Sequence, residues 1–280
     1  MKNNSSEFRV QKMADALGVT RSAYYAWKKR GESQRTKAND HLLSQIRVLH
    51  AGSHEIYGSR RITAALRNEG HLCSKNRIAR LMRKASIVSR MRRKFRITTH
   101  SKHSFPKMQN LVRQNFNADQ PNRLWVSDIT YIWTKEGWLY LAVIIDVFSR
   151  LVVGWAMSNQ LHHSLVLRAF QQAVRKRDVQ PGLIFHSDQG VQYACEVVKE
   201  QLRNRQIIQS MSGSGNCYDN ALAESFFHSL KTEWVYFEKY ETKEQASLSI
   251  FEYIESFYNR RRLHSNLGYK SPEKHEQLAA

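Results

Sequence analysis

Two acids, Asp188 and Glu224, stand thirty-five residues apart, and a third, Asp128, interrupts the apolar run LWVSDITYIW upstream. A carboxylate buried in such a run is unfavourable unless it is paired or bound to a metal. The plainer alternative is an aspartate held by an arginine or by backbone N–H groups. Together the three acids make an all-oxygen set of hard ligands. Such a set suits Mg²⁺ or Mn²⁺, with waters and substrate phosphates completing the shell. No zinc pattern competes, because His50 and His54 are followed by no CxxC and His162 and His163 are adjacent.

The elements that must position these acids follow from local pattern. Pro181-Gly182 reads as a turn and Leu183-Ile184-Phe185 as a buried strand, so Asp188 falls near a strand end. Asp219 or Asn220 suits the N-cap of the next helix. On that helix Glu224, His228 and Lys231 share one face, and Leu222, Ala223, Phe226, Leu230 and Trp234 the other. Glu233, about 180° from Glu224 at 100° per residue, is expected to stand clear of any chemistry. The polar face lies beside the Gly-rich stretch SMSGSGN at 210–216. Read alone, it is either a phosphate-handling edge or a solvated helix surface.

Around this segment, LWVSDITYIW, WLYLAVIIDVF and RLVVGWAM read as three strands, with Lys135-Glu136-Gly137 as a type I turn and bulged glycine. A helix over 162–177, a strand over 182–187, a helix over 190–204 and a short strand at Ile207-Ile208 follow. After the Glu224 helix, a long helix over 242–260 turns Ala246, Ile250, Tyr253, Ile254 and Phe257 inward. The order βββ-α-β-α-β-α-α predicts an α/β fold, a mixed sheet with helices on its faces. Asp146 also lies in an apolar strand. A hairpin register summing to 271 puts it on the face opposite Asp128 and one summing to 272 on the same face, and the alternation is compatible with both.

Charge divides the chain differently. Residues 1–118 hold 26 Lys+Arg against 6 Asp+Glu, which is the whole net charge of +20, whereas the remainder balances at 18 each. A polyanion, DNA or RNA, is the expected partner of the basic part. Residues 7–30 read as helix, turn, helix: Phe8, Met13, Ala14 and Leu17 give an apolar face, Gly18 breaks, and Thr20 caps a second helix carrying Tyr24, Tyr25 and Trp27. Residues 31–39 read as a polar linker. Helices follow over 40–51, from Tyr57-Gly58 to Glu69, and from Ser74 onward. The last buries Ile78, Leu81 and Met82 and turns Arg77, Arg80, Arg83 and Lys84 outward. This spacing predicts two helix-turn-helix units, and Ser89–Lys107 reads as a basic arm. No run of eighteen apolar residues occurs, so no membrane span is expected. The N-terminus lacks a signal-peptide core. Three scattered cysteines, Cys73, Cys195 and Cys217, point to a reduced, cytoplasmic chain without disulfides.

The motifs WVSDITYI around Asp128, DVFSR at 146–150, HSDQGVQY around Asp188, GNCYDNALAESFFHSLKTE around Glu224 and YNRRRLHSNLGYKSP at 258–272 are together similar to the OrfB-type transposases of bacterial insertion sequences. These are members of the superfamily of DDE transposases and retroviral integrases. The resemblance runs from about residue 40 to the C-terminus. It implies an RNase H-like core, Mg²⁺ (or Mn²⁺) dependence, and cutting and joining of DNA at terminal inverted repeats. By position it makes Asp128, Asp188 and Glu224 the catalytic and metal-binding triad and Lys231 a basic residue near DNA. Two ions about 3.5–4 Å apart, bridged by Asp128, are then expected with DNA bound. Two departures stand out: the retroviral His-His-Cys-Cys domain is absent, and Gly213 stands where relatives often carry arginine.

The division expected is a helix-turn-helix at 1–35, a second such module at 40–97, a basic linker at 98–122 and the catalytic core with its basic tail at 123–280. DNA contacts are expected from Lys231, His228, Arg21, Lys28, Arg60, Arg61, Arg77, Arg92, Arg93, Arg260, Arg261 and Arg262. Double-stranded DNA, further copies of the chain and a protein from an upstream reading frame, as partner or fusion, are the expected partners, and the bacterial nucleoid the expected place of action. Arg260 to Arg262, His264 and Tyr269 also hint at a tyrosine recombinase, but they crowd into ten residues and read better as a DNA-contacting tail. A nuclease that cuts without joining, and a DNA-binding regulator with an inert core, are the rival functions.

Overall fold

The chain was analysed as a computed structural model that describes residues 1–91, 108–213 and 217–279. Helices α1 (Val10–Ala16) and α2 (Arg21–Lys29) form the first basic unit. The break between them is set by Gly18 at φ +64, and Thr20 caps α2 by accepting from the Ala23 N–H at 3.2 Å. The expected apolar face is not covered. Only Ala14 and Tyr24 are buried, while Phe8 and Leu17 remain 53% and 62% exposed.

The polar linker expected over 31–39 is largely helix. Ser33 caps α3 (Gln34–Gly52), its hydroxyl accepting from the Thr36 N–H at 3.1 Å, and a capped start outweighs the polarity of the stretch. With α4 (Ser59–Asn68) and α5 (Lys75–Lys84, capped by Ser74), α3 buries Leu42, Ile46, Ile62, Leu66, Ile78, Leu81 and Met82. These side chains belong to the same hydrophobic cluster as Phe226, Tyr253 and Phe257 farther along the chain.

A five-stranded sheet follows, ordered β3-β2-β1-β4-β5. Strands β1 (Leu124–Thr134), β2 (Gly137–Asp146) and β3 (Val152–Ser158) form an antiparallel meander. Gly137, at φ +98, supplies the left-handed residue that the tight first turn requires. Helix α6 (His163–Lys176) leads to β4 (Ile184–Ser187), which runs parallel to β1. The helix expected over 190–204 is broken at Cys195 into α7 (Val191–Ala194) and α8 (Glu196–Arg203), and β5 (Ile208–Met211) lies parallel to β4. Then come α9 (Ala221–Glu233), α10 (Lys243–Phe251) with its π-helical continuation Glu252–Tyr258, and α11 (Pro272–Gln277).

The pleat sorts the sheet into two cores. Val126, Ile132, Leu139, Leu141, Val143 and Ile145 face α9 and α10, in the hydrophobic cluster that also takes in the α3–α5 module. Trp125, Ala142 and Ile144 face α6 and α8. Helix α6 lies so close that a Cβ on Gly154 would meet the Ala169 carbonyl oxygen at 2.3 Å. Among the described residues no helix is long and apolar enough to cross a membrane.

Candidate active site

The parallel pairing of β1 with β4 ends at Ser127↔Ser187. Asp128 and Asp188 are therefore the next residues on neighbouring chains, at a strand spacing of about 4.8 Å. The Asp128 Oδ1 accepts from the Ile129 N–H at 2.7 Å and the Asp188 Oδ1 from the Gly190 N–H at 3.0 Å. Gly190 makes that closure possible, since a Cβ there would lie 3.0 Å from the same Asp188 oxygen. Desolvation pushes the Asp128 carboxyl well above the usual range. The charges of Asp188 and then Glu224 push the same way, opposed by the Ile129 N–H and by Lys231. Glu224, exposed on the first turn of α9, is also raised by desolvation. Among the described residues no three His, Cys, Asp or Glu side chains converge closely enough to hold an ion. The two aspartates are neighbours across the β1–β4 pairing, and the charge of Glu224 acts on Asp128.

Helix α9 has its apolar stripe as patterned: Leu222, Ala223, Phe226, Phe227 and Leu230 are buried and Trp234 is half-buried. Its entry differs from expectation. Asn220 occupies the N-cap position but makes no side-chain capping bond among the described residues. The Asp219 Oδ2 instead accepts from the Gly213 N–H and from Asn110 Nδ2, both at 2.9 Å. Gly213, noted for its lack of a basic side chain, thus contributes its backbone to the loop. Sequence reasoning passed over His186, which is fully buried. Its Nε2 donates to the Asp219 carbonyl at 2.7 Å, so its Nδ1 accepts from Ser210 Oγ at 2.9 Å. Burial holds this imidazole below its ordinary pKa, hence neutral. The only sequence signal was a histidine between an apolar run and Asp188.

Lys231 is half-buried, with Nζ 5.6 Å from the centre of the Tyr131 ring. Desolvation lowers its pKa and the charge of Asp128 opposes that shift. His228 is exposed one turn before it. The register of β1 and β2 pairs Trp125 with Asp146, the sum 271, which puts Asp146 on the face opposite Asp128. There the carboxylate accepts from the Asn122, Phe148 and Ser149 N–H groups and from Trp125 Nε1. It is a structural acid.

The basic residues divide by what they already touch. Arg21, Lys28, Arg60 and Arg261 are exposed, and Arg260 is exposed with a long 3.9 Å approach to Glu273. Three others already have protein partners, and of these Arg262 and Arg61 depart from the DNA-contact expectation. Arg262 is buried and bidentate to Glu233, with Nε and Nη2 each 2.7 Å from a carboxylate oxygen. Arg61 donates to the same carboxylate at 3.1 Å, and Arg77 Nε donates to Asn39 Oδ1 at 2.9 Å. Glu233, expected to be a bystander, is buried at the centre of this network. Because ionised side chains are seldom buried unpaired, each member commits the others. Arg92 and Arg93 lie outside the described residues.

Residues 118–217 match the family Integrase core domain, residues 224–279 a second Integrase core domain family, and residues 37–95 the HTH-like domain. The chain is 41% identical over 275 residues to the insertion element IS600 uncharacterized 31 kDa protein of Shigella sonnei, covering 96% of this chain and all of that one. It is 38% identical over 278 residues to the transposase InsF for insertion sequence IS3A of Escherichia coli strain K12, covering 99% and 96%. Among solved structures, a simian T-cell lymphotropic virus intasome in complex with the PP2A regulatory subunit B56 gamma aligns at 16% identity and TM-score 0.49, over 82% of this chain and 74% of that one. The HTLV-2 integrase catalytic core domain in complex with magnesium aligns at 17% and 0.44, over 57% and 99%.

Proposed function

Because this chain belongs to the family of insertion-sequence transposases that combine an HTH-like domain with an integrase core, we propose that Asp128, Asp188 and Glu224 are its catalytic carboxylates and that it cuts and joins DNA at the inverted repeats of its own element. The enzyme is a DNA transposase of the DDE polynucleotidyl-transferase class. The observation that carries the assignment is the pairing of β1 with β4, which sets two aspartates side by side and lets Glu224 raise the Asp128 carboxyl from α9.

The donor set fits a divalent cation by chemistry. The acids offer hard oxygens, and their mutual repulsion is what a bound cation relieves. Asp128, Asp188 and Glu224 would hold Mg²⁺ or Mn²⁺, two ions in the two-metal scheme. When bound, such ions activate water or a 3′-hydroxyl for in-line attack and stabilise the departing oxygen. The chain supplies no nucleophile of its own; its residues place the phosphodiester. Lys231, on the Glu224 helix and within the field of Asp128, acts as a point charge on a phosphate oxygen, and exposed His228 extends that edge. His186 and Asp219 fix the loop from which the Glu224 helix departs.

DNA is held beyond the site by Arg21, Lys28, Arg60, Arg260 and Arg261, with further copies of the chain completing the assembly on paired ends. An upstream-frame partner belongs to the same reading. The test uses the full chain with a labelled oligonucleotide carrying an element end. Glu224→Gln, Asp128→Asn and Asp188→Asn should each bind the end normally yet lose cleavage and joining by orders of magnitude. Pairs of these substitutions should add little to the single losses. Glu224→Gln protein that still joined the labelled end to plasmid at the wild-type rate would overturn the assignment. Cleavage without joining by the unaltered chain would favour the nuclease reading.

A further inference from the structure

Helix α9 carries Glu224 in its first turn and Glu233 in its last, nine residues or about 13 Å along the axis. Its N-terminal end is entered through the Asp219 turn, which His186, Gly213 and Asn110 hold, and Asn220 Nδ2 reaches the Ser127 carbonyl at 3.5 Å. The far end is fixed firmly. The Glu233 carboxylate, 3% exposed, receives Arg262 Nε, Arg262 Nη2, Arg61 Nη1 and, at 3.4 Å, the Tyr253 hydroxyl. Arg262 Nη2 also donates to Ser229 Oγ at 3.0 Å, one turn back on α9. Its Nη1 lies 3.1 Å from the His264 ring, whose pKa burial and then Arg262 push down to about 2, so that the ring accepts as a neutral base.

Only one of these donors comes from outside the catalytic part. Arg61 lies on α4 of the helical module, and its guanidinium stands 5.6 Å from the Tyr57 ring. The Tyr57 hydroxyl donates to the Arg261 carbonyl at 2.9 Å and accepts from the Leu263 N–H at 2.7 Å. Tyr57 and Arg61 are thus among the module's footholds on the end of α9 and the strap that holds it, beside His54, whose ring centre lies 4.6 Å from that of Trp234. The preceding residue on α4, Arg60, is exposed and borders an open cleft of ≈ 430 Å³ with Arg67 and Lys75. One side of α4 is free to meet a phosphate backbone while the other grips the helix of Glu224.

We infer that Arg61 is a positioning residue for Glu224: through Glu233 it makes docking of the DNA-binding module part of the support of the active-site helix. The inference rests on the reading of Glu224 as catalytic. A helix transmits axial shifts along its length, so a slip at Glu233 displaces the carboxylate at Glu224, and small displacements of reacting groups are costly to rate.

The test compares full-length wild type, Arg61→Met and Arg61→Lys. Arg61→Met removes the charge but leaves the bidentate Arg262–Glu233 pair, so the chain should fold and bind an end oligonucleotide as before. Single-turnover cleavage of bound DNA should fall about 10-fold, in the range seen when partners of metal-holding groups are removed. The Mn²⁺ concentration for half-maximal rate should rise, and amide exchange over residues 221–225 should speed up. Arg61→Lys should recover most of each loss, and it carries the comparison if Arg61→Met does not fold. Unchanged cleavage and exchange in Arg61→Met, with or without a lower Tm, would overturn the inference, as would loss of end affinity with normal cleavage of bound DNA. Glu224→Gln, run alongside, separates the two readings. If it remains active, the catalytic assignment fails; if it is inactive while Arg61→Met matches wild type, only the coupling through Glu233 fails.

Discussion

The two basic helical units at the front of the chain follow the same local rules and end in different places. Both have hydroxyl-capped helices, Thr20 in one and Ser33 and Ser74 in the other, and both carry outward arginines and lysines. The pair α1–α2 buries only Ala14 and Tyr24 and leaves Phe8, Leu17, Val19, Tyr25 and Trp27 exposed. The trio α3–α5 pours Leu42, Ile46, Ile62, Leu66 and Ile78 into the cluster that also packs α9 and α10, and ties itself there with Tyr57 and Arg61. Capping and charge therefore specify a helical unit without saying whether it stands apart. Net charge changes near residue 118, but the shared hydrophobic core begins near residue 42. The first unit lies outside the hydrophobic cluster that packs α9 and α10, and the second is built into it.

The largest effect expected from this difference comes from truncation. Removing residues 1–118 takes several fully buried Ile and Leu side chains from a shared core. At about 1.5–3 kcal/mol each, their loss rivals the 5–15 kcal/mol that stabilises a whole domain. The 119–280 fragment should be insoluble or unfolded by circular dichroism. Removal of residues 1–30 should leave a cooperative thermal transition close to that of the full chain. A stable, cooperatively folding 119–280 fragment would break the comparison by showing that the second module is as separable as the first.

A smaller effect sharpens the same point at one carboxylate. Although burial works against ionisation, Arg262 and then Arg61 hold the Glu233 carboxyl below its usual range. Glu233→Gln leaves Arg262 buried and unpaired, and breaking a buried pair in this way costs about 3–5 kcal/mol, measurable by urea unfolding. The sign with pH follows: a depressed carboxyl pKa stabilises above the unfolded value of 4.5, and the contribution is lost as pH falls through the lower folded value. The acid limb of the stability curve should therefore flatten in Glu233→Gln. An unchanged curve would mean that the network contributes nothing net.

Much of this was legible beforehand, and the gaps have physical causes. Period-2 and period-3.6 patterns placed the acids on a strand, at a strand end and on a helix, because burial of one face is recorded locally. The hairpin register was legible only to within one residue, and Asp146 changed faces with it; the Thr134↔Gly137 pairing that settles the sum at 271 is a property of the folded turn. The Glu233–Arg262 pair was invisible because its members lie 29 positions apart and each looks like a surface charge. His186 was hidden because a neutral, buried imidazole is indistinguishable in sequence from an idle one. The distance from Glu224 to the two aspartates is a tertiary quantity that no spacing encodes.

The smallest expected effect isolates α2 as a reader. Arg21 and Lys28 are exposed, and among the described residues Arg21 bonds across to Gln11 at 3.2 Å, outside the core. Arg21→Ala and Lys28→Ala should each leave the unfolding free energy within the roughly ±0.5 kcal/mol typical of surface changes. If each touches a backbone phosphate, the slope of log K against log salt for an end duplex should fall by about 0.9 per substitution. The losses should be additive, because the two side chains share no partner. Cleavage of DNA already bound should keep its rate, since among the described residues none of α1–α2 belongs to the hydrophobic cluster that packs α9. The matching change in the second unit, Arg60→Ala, should lower the salt slope in the same way while leaving the Arg61–Glu233 pair in place. If the α2 substitutions instead slowed cleavage of bound DNA while leaving the salt slope unchanged, the first unit would be part of the catalytic body after all, and the contrast between the two units would fail.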